Sequence, residues 1–134
     1  MTPEQVNLVL DGIERMRPRL PQIADAFYAE LFDRHPQLRP MFPADLTRQR
    51  IKFADELHTL VVALPDLPAF LASAARLGNR HAGYGVRVAH YNQVRTVLIT
   101  TIAADMGSTW TAEHEQAWTA AYDMITEAML LNLR

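Results

Sequence analysis

The sequence contains no cysteine among its 134 residues. This absence excludes disulfide scaffolds, cysteine nucleophiles, cysteine-ligated zinc and iron–sulfur clusters. The chain also lacks a Gly-rich phosphate loop and the metalloprotease and hydrolase signatures H-E-x-x-H and G-x-S-x-G. Any chemistry of the chain must therefore come from other side chains.

Clusters of basic residues and long apolar runs are lacking as well. The 13 Lys and Arg against 15 Asp and Glu give a net charge of −2, and the arginines are scattered. Nucleic acids and anionic membranes attract clustered basic charge, so we expect neither as a partner. The N-terminus lacks the apolar core of a signal peptide, and no apolar run has membrane-spanning length. These features predict a cytoplasmic protein with a single domain over residues 1–134.

Helical periodicity runs through almost the whole chain, and no strand alternation competes with it. The first helix begins with TPEQ, in which Thr2 is the N-cap, Pro3 the first helical residue and Gln5 the third. The other predicted helices cover about 21–34, from 47 onward, 68–80, 90–105 and from 111 onward. The pattern predicts an all-α fold of about six to seven helices.

Two further expectations concern the middle of the chain. The helix that starts near Thr47 should bury one face, because apolar residues recur there at spacings of three and four. The residues of this face are Ile51, Ala54, Leu57 and Val61. The next helix should end at Gly83 and Gly85, since glycines commonly follow the last helical turn.

Among the five histidines, His81 has the most distinctive surroundings. Leu77 stands one turn before it and Ala74 just under two turns before it, so its imidazole should emerge from an apolar helical wall. Two interpretations stay open from this local pattern. His81 either stabilises a helix C-terminus through the dipole and the last carbonyls, or it is a neutral imidazole that ligates a metal.

Four segments extend the pattern over nearly the whole chain. They are FYAELFDRHPQLRPMF (27–42), RQRIKF (48–53), NRHAGYGV (79–86) and AHYNQV (89–94). Their order, residue types and spacing resemble the bacterial single-domain haemoglobins and the haem domain of flavohaemoglobins. The resemblance implies a globin fold packed around a haem. That haem would be a non-covalent haem b, because covalent attachment needs a C-x-x-C-H motif.

The resemblance also implies a role for each residue of the site. His81 matches the proximal histidine that ligates the iron, with its other ring nitrogen donating to a group that fixes the tautomer. Tyr28 and Gln49 match the distal pair that donates hydrogen bonds to bound oxygen. Phe42 matches the phenylalanine that packs on the porphyrin. The other implied haem contacts are Phe53, Leu77, Arg80, Val86, Tyr91, Val94, Leu98 and Ile125.

Three positions make the comparison with the family more specific. Phe53 stands where the family more often has leucine, and its larger ring should narrow the distal space. Arg80 should pair with a haem propionate. Tyr91 matches a tyrosine that approaches the proximal histidine. In flavohaemoglobins a glutamate completes this set, but here the matching residue is Leu133, and Glu127 lies nearly two turns too early to replace it.

The implied function is reversible binding of oxygen, nitric oxide and carbon monoxide. Tyr28 and Gln49 would be catalytic residues if the protein also oxidises nitric oxide to nitrate, a reaction that would need electrons from a separate reductase. The alternative is a globin that acts as a gas sensor or interaction module through a partner protein. Composition alone also allows a plain helical scaffold, and the resemblance allows a monomer or a homodimer.

Overall fold

The computed structural model describes residues 1–131, which form six α-helices joined by short corners. The helices are α1 (Pro3–Met16), α2 (Leu20–Arg34), α3 (Thr47–Val62), α4 (Leu67–Gly83), α5 (Val88–Met106) and α6 (Ala112–Leu130). Short 3₁₀ helices occupy Arg17–Arg19, Pro36–Met41 and Gly107–Thr109. This part of the chain contains no strand. The predicted all-α fold is therefore confirmed.

The ends of the helices follow the capping residues of the sequence. At the start of α1, the Thr2 hydroxyl accepts a hydrogen bond from the Gln5 N–H at 3.1 Å, and the Gln5 side chain accepts one from the Thr2 N–H at 2.9 Å. At the end of α4, the His81 carbonyl accepts the N–H groups of Tyr84 and Val86, at 3.0 and 3.1 Å. Helix α4 ends at Gly83, as the glycines at 83 and 85 predict, three residues beyond the range of about 68–80.

One predicted core position is wrong. Ile51 is 58% exposed and lines an open groove between α2 and α3, whereas the other predicted residues of that face are buried. Six residues separate Ile51 from Leu57, which places the two side chains about 120° apart around the helix axis. The buried face is instead extended by Leu60, which is 5% exposed.

Helix α6 is the centre of the packing, because it lies against α1, α4 and α5, while α2 crosses α3 and α5. Within residues 1–131, no helix combines the length and the apolar character needed to cross a bilayer. The core is a continuous set of apolar side chains drawn from all six helices. One end of this core opens into the cavity described below.

Helices α4 and α6 approach each other very closely at Gly78 in α4. A Cβ atom at this position would lie 2.1 Å from the Met129 carbonyl oxygen and 2.9 Å from the Met129 Cα in α6. Contacts this short do not occur between real atoms, so only glycine lets the two backbones touch here. The crossing lies less than one turn before His81 and fixes the position of that end of α4.

Replacing Gly78 by alanine should therefore destabilise the protein, although alanine favours helix formation by about 1 kcal/mol. We expect the free energy of unfolding to fall by about 3 kcal/mol, which is the upper end of the range for overpacked cores. The reason is that the obstructing atoms belong to the backbone of α6. Gly83→Ala is the matched control, since nothing lies within 4 Å of a Cβ built there. Urea unfolding measures both free energies, and equal values for the two variants would contradict the tight crossing.

Candidate haem site

A largely apolar cavity lies between α2, α3, α4, α5 and α6. Eleven of the twelve side chains predicted for the site line it, and Arg80 lies in the groove that adjoins it. The lining residues among the predicted set are Tyr28, Phe42, Gln49, Phe53, Leu77, His81, Val86, Tyr91, Val94, Leu98 and Ile125. The fold thus brings together residues that are almost 100 positions apart in the chain.

The imidazole of His81 enters this cavity from the last turns of α4. Its Nδ1 lies 2.9 Å from the Leu77 carbonyl oxygen. Because a carbonyl can only accept, Nδ1 carries the hydrogen and the lone pair of Nε2 is left available. Burial lowers the pKa of His81 below its ordinary value, so the neutral ring is favoured at neutral pH. A neutral imidazole with an available Nε2 is the form that ligates metals.

The surroundings of His81 indicate what kind of metal site is possible. Among residues 1–131, no three or more His, Cys, Asp or Glu side chains are grouped so that they could hold a metal ion. A single protein nitrogen in an apolar cavity suits a metal that brings its other ligands with it, as haem iron does. The donor set and the lining therefore fit a non-covalent haem and do not fit a bare metal ion.

Tyr91 lies beside His81, with the ring centroids 6.2 Å apart and the planes inclined by 28°. The Tyr122 hydroxyl of α6 donates a 2.6 Å hydrogen bond to the Tyr91 carbonyl and so holds this part of α5. The Tyr91 hydroxyl is buried and has no hydrogen-bond partner in the described part of the chain. The position matching the family's glutamate, Leu133, lies outside the described residues, and Glu127 is exposed on α6.

Tyr28 provides the second polar group of the cavity. Its side chain is 3% exposed, and its hydroxyl oxygen accepts a 3.1 Å hydrogen bond from Gln49 Nε2. Since the amide donates to the oxygen, the phenol hydrogen remains available for another acceptor. Burial raises the pKa of Tyr28 to about 12. The phenol is therefore a hydrogen-bond donor throughout the physiological pH range.

Four phenylalanine rings surround Tyr28 and form an aromatic cluster with it. Phe27, Phe42 and Phe53 meet the Tyr28 ring edge-on at centroid distances of 5.0, 5.7 and 5.7 Å, and Phe32 meets it at 5.9 Å with a tilt of 32°. Edge-to-face pairs are favoured by the charge distribution of the rings. The phenol is consequently held in one orientation by its neighbours as well as by Gln49.

Charged side chains lie at the edge of the cavity. The groove at this edge is lined by Arg48, Lys52 and Arg80 together with Glu56. Arg80 Nη2 lies 2.6 Å from Glu56 Oε1, so this arginine joins α4 to α3. The pair is partly solvated, and its contribution to stability is about 1 kcal/mol or less. The predicted pairing of Arg80 with a haem propionate remains a prediction, although its position at the rim is compatible with it.

The cavity is also lined by residues that the sequence did not assign to the site. These are Phe27, Leu31, Leu38, Met41, Glu56, Leu57, Leu60, His90, Tyr122, Thr126 and Met129. The apolar ones on the α-helices belong to helical stripes visible in the sequence, so periodicity marks them as inward-facing without distinguishing a cavity wall from a filled core. Leu38 and Met41 lie in the 3₁₀ helix Pro36–Met41, where no such stripe exists. Glu56 and Thr126 carry no such signal, because polar helix residues are usually solvated.

The sequence of this chain is similar to those of known haem-site proteins, as the following matches show. A model of the globin family matches residues 25–129. The flavohemoprotein of Vibrio cholerae is 23% identical over 97% of this chain, which spans only 34% of that longer protein. The leghemoglobin of Psophocarpus tetragonolobus is 28% identical, and the match covers 96% of this chain and 94% of the leghemoglobin.

A solved bacterial globin from Campylobacter jejuni has the same fold, with a TM-score of 0.84 and 21% identity over 94% of this chain and 91% of that one. At 21% identity, the structural similarity shows the fold alone. The family match rests on the sequence and covers most of the chain. Family membership implies a haem cofactor and the binding of diatomic gases. The chain is a member of the globin family.

Proposed function

We propose that this globin holds a non-covalent haem b through His81 and binds oxygen, nitric oxide and carbon monoxide reversibly beside Tyr28. The observation that carries the proposal is the presence, in one apolar cavity, of an available His81 Nε2 and a protonated Tyr28 phenol. When bound, the haem supplies an iron with a coordination position open to a diatomic molecule. The same proposal treats residues 1–134 as one cytoplasmic domain, monomeric or dimeric.

The chain's own residues then decide how a ligand is held. The Tyr28 O–H donates to a ligand atom that carries partial negative charge, and Gln49 keeps that hydrogen directed away from itself. The apolar lining excludes water, which makes this hydrogen bond stronger than it would be in solution. Ligands that accept hydrogen bonds should therefore be retained longer than ligands that accept them poorly.

At the predicted iron ligand, the partner of His81 Nδ1 is the neutral Leu77 carbonyl at 2.9 Å. A carbonyl increases the electron donation of an imidazole less than a carboxylate does. This arrangement favours reversible ligand binding over cleavage of an oxygen–oxygen bond. It supports binding as the basic function of the protein.

A second candidate function is the oxidation of nitric oxide to nitrate. The Tyr28–Gln49 pair and the similarity to a flavohemoprotein support it. The overall reaction, in which nitric oxide, oxygen and one electron give nitrate, consumes an electron in each cycle. A separate reductase would supply that electron, and Tyr28 and Gln49 would be the catalytic residues that hold the oxygen. Without a reductase, the same site would act as a gas sensor through a partner protein.

Haem binding is tested first. Purified protein mixed with haemin should develop a Soret band, and His81→Ala should weaken haemin affinity by more than about 100-fold, since it removes the iron ligand itself rather than a supporting group. The control is His114→Gln, because the His114 ring lies outside the cavity and accepts the Thr111 N–H at the start of α6, and glutamine preserves such a cap. A wild-type protein that stays colourless would point to a plain helical scaffold.

Replacement of Tyr28 tests its proposed hydrogen bond to the bound gas. Tyr28→Phe should raise the oxygen dissociation rate by about 10- to 100-fold, the equivalent of one hydrogen bond to a charged acceptor. Carbon monoxide dissociation should change little, because carbon monoxide is a poor acceptor. The wild-type oxygen rate should also be constant from pH 7 to 9, since the pKa of Tyr28 is raised to about 12. Stopped-flow spectroscopy measures the oxygen rate, the carbon monoxide rate and the pH dependence. Equal changes for oxygen and carbon monoxide in Tyr28→Phe would argue against a hydrogen bond from Tyr28.

Supplying electrons distinguishes turnover from binding. With oxygen, a ferredoxin or flavin reductase and NADPH, the haem-loaded protein should consume nitric oxide over many cycles and release an equal amount of nitrate. Gln49→Ala should lower this rate while leaving the Soret band in place, because Gln49 touches Tyr28 and not His81. Consumption that stops after one equivalent would leave gas binding as the function and favour a sensor.

A further inference from the structure

We propose that His90 holds one of the two haem propionates by donating a hydrogen bond from its Nε2. This inference rests on the proposed function, because it concerns the haem that His81 would ligate. His90 is half-buried in the first turn of α5 and lines the same cavity as His81. The role of this second imidazole follows from the ring atom that carries its hydrogen.

The start of α5 determines where that hydrogen lies. The Arg87 N–H donates a 2.9 Å hydrogen bond to His90 Nδ1, so the His90 side chain caps the helix. Because a backbone N–H can only donate, Nδ1 provides the lone pair and the ring hydrogen lies on Nε2. His81 has the opposite tautomer, since its Nδ1 donates to the Leu77 carbonyl. The cavity is therefore lined by one imidazole with an available lone pair and one with an available N–H.

The Nε2–H of His90 has no acceptor within residues 1–131, where the only hydrogen bond of the ring is the one from Arg87. Among the described residues that line the cavity, the only carboxylate is Glu56, and it is paired with Arg80 at 2.6 Å. A polar group next to an apolar cavity is costly unless it is hydrogen-bonded. The donor of His90 thus suits a ligand that brings its own acceptor.

A haem brings two such acceptors, because its only charged substituents are two propionate carboxylates. The groove at the rim offers Arg48, Lys52 and Arg80 to a carboxylate, but His90 does not line that groove. The cavity therefore has two separate polar places, one at the groove and one at His90, for the two propionates. A hydrogen bond to a carboxylate is roughly twice as strong as one between neutral groups, so His90 contributes substantially to haem affinity.

The cap also keeps His90 from competing with His81 for the iron. Its Nδ1 accepts the Arg87 N–H, and its Nε2 carries the hydrogen. Neither ring nitrogen of His90 then offers a lone pair to a metal, whereas Nε2 of His81 does. The two imidazoles consequently divide the haem between them, one at the iron and one at a propionate.

Substitutions of His90 separate its donor from its cap. His90→Glu keeps an acceptor for the Arg87 N–H, as glutamate at the third helical position does, but has no hydrogen to donate. It should weaken haemin affinity by about 10- to 100-fold, the equivalent of one hydrogen bond to a charged acceptor. His90→Gln keeps both an acceptor and an N–H donor, so it should bind haemin nearly as tightly as the wild type. Titrations of the Soret band measure both affinities.

Haemin dimethyl ester shows which part of the haem is involved, because it keeps the iron but has no carboxylates. His90→Glu should change its affinity little while lowering that of haemin. Val88→Glu is the matched control, since it places the same charge in the same turn of α5 on a side chain that is 58% exposed and outside the cavity. Equal losses for haemin and its ester in His90→Glu, or an equal loss of haemin affinity in Val88→Glu, would contradict the propionate contact.

The haem-free protein provides an independent readout. At about pH 8, where imidazoles are generally neutral, nitrogen NMR should find the ring hydrogen on Nε2 of His90 and on Nδ1 of His81. A hydrogen on Nδ1 of His90 would overturn this inference alone. So would a wild-type protein that takes up haemin and an His90→Glu variant that binds it equally well. A wild-type protein that takes up no haemin would overturn the proposed function and this inference with it.

Discussion

The contact between the backbones of α4 and α6 at Gly78 is the constraint on which the site depends. Met129 leaves no room for a side chain at this crossing, so α4 can lie nowhere else without losing its packing on α6. His81 follows within one turn and takes its position from that crossing. The Leu77 carbonyl, which orients the imidazole, belongs to the residue just before Gly78. The helix–helix contact therefore fixes the place of the predicted iron ligand, and the Leu77 carbonyl within α4 fixes its tautomer.

Burial has the same chemical effect on His81 and on Tyr28, two polar side chains of the cavity. It lowers the pKa of His81 and raises that of Tyr28, and in each case the uncharged form is favoured. At these two side chains the cavity thus offers a lone pair and a hydrogen-bond donor without burying a charge, which would be costly in apolar surroundings. Glu56 carries the one negative charge among the described cavity-lining residues, and it is paired with Arg80 at the rim, where both side chains are partly exposed.

Local features of the fold were predictable, whereas contacts between helices were not. The capping box joins Thr2 and Gln5, which lie within four consecutive positions, so the sequence contains all the information needed. The exposure of Ile51 depends on how α3 is rotated against α2, which periodicity does not define for a residue at the edge of an apolar stripe. Gly78 likewise looks like an ordinary helical glycine until its partner in α6 is known.

The same distinction holds for the site. The family pattern brought Tyr28, Gln49 and His81 together as candidates, and the fold places all three around one cavity. Their roles as ligand and donors remain predictions. The stack of Phe27 on Phe53 had no counterpart in the sequence analysis, because ring orientation depends on packing from all sides. Sequence patterns identified the residues of the cavity, but the shape of its wall required the structure.

The hydrogen bond from Gln49 to Tyr28 has a consequence for the entropy of ligand binding. A free hydroxyl rotates about its C–O bond, and a ligand that accepts its hydrogen has to stop that rotation. Here the amide already occupies a lone pair of the hydroxyl oxygen, so the hydrogen has few directions left before any ligand arrives. The hydroxyl is therefore already ordered when the chain folds. A ligand then gains the hydrogen bond with a smaller loss of the hydroxyl's rotational freedom.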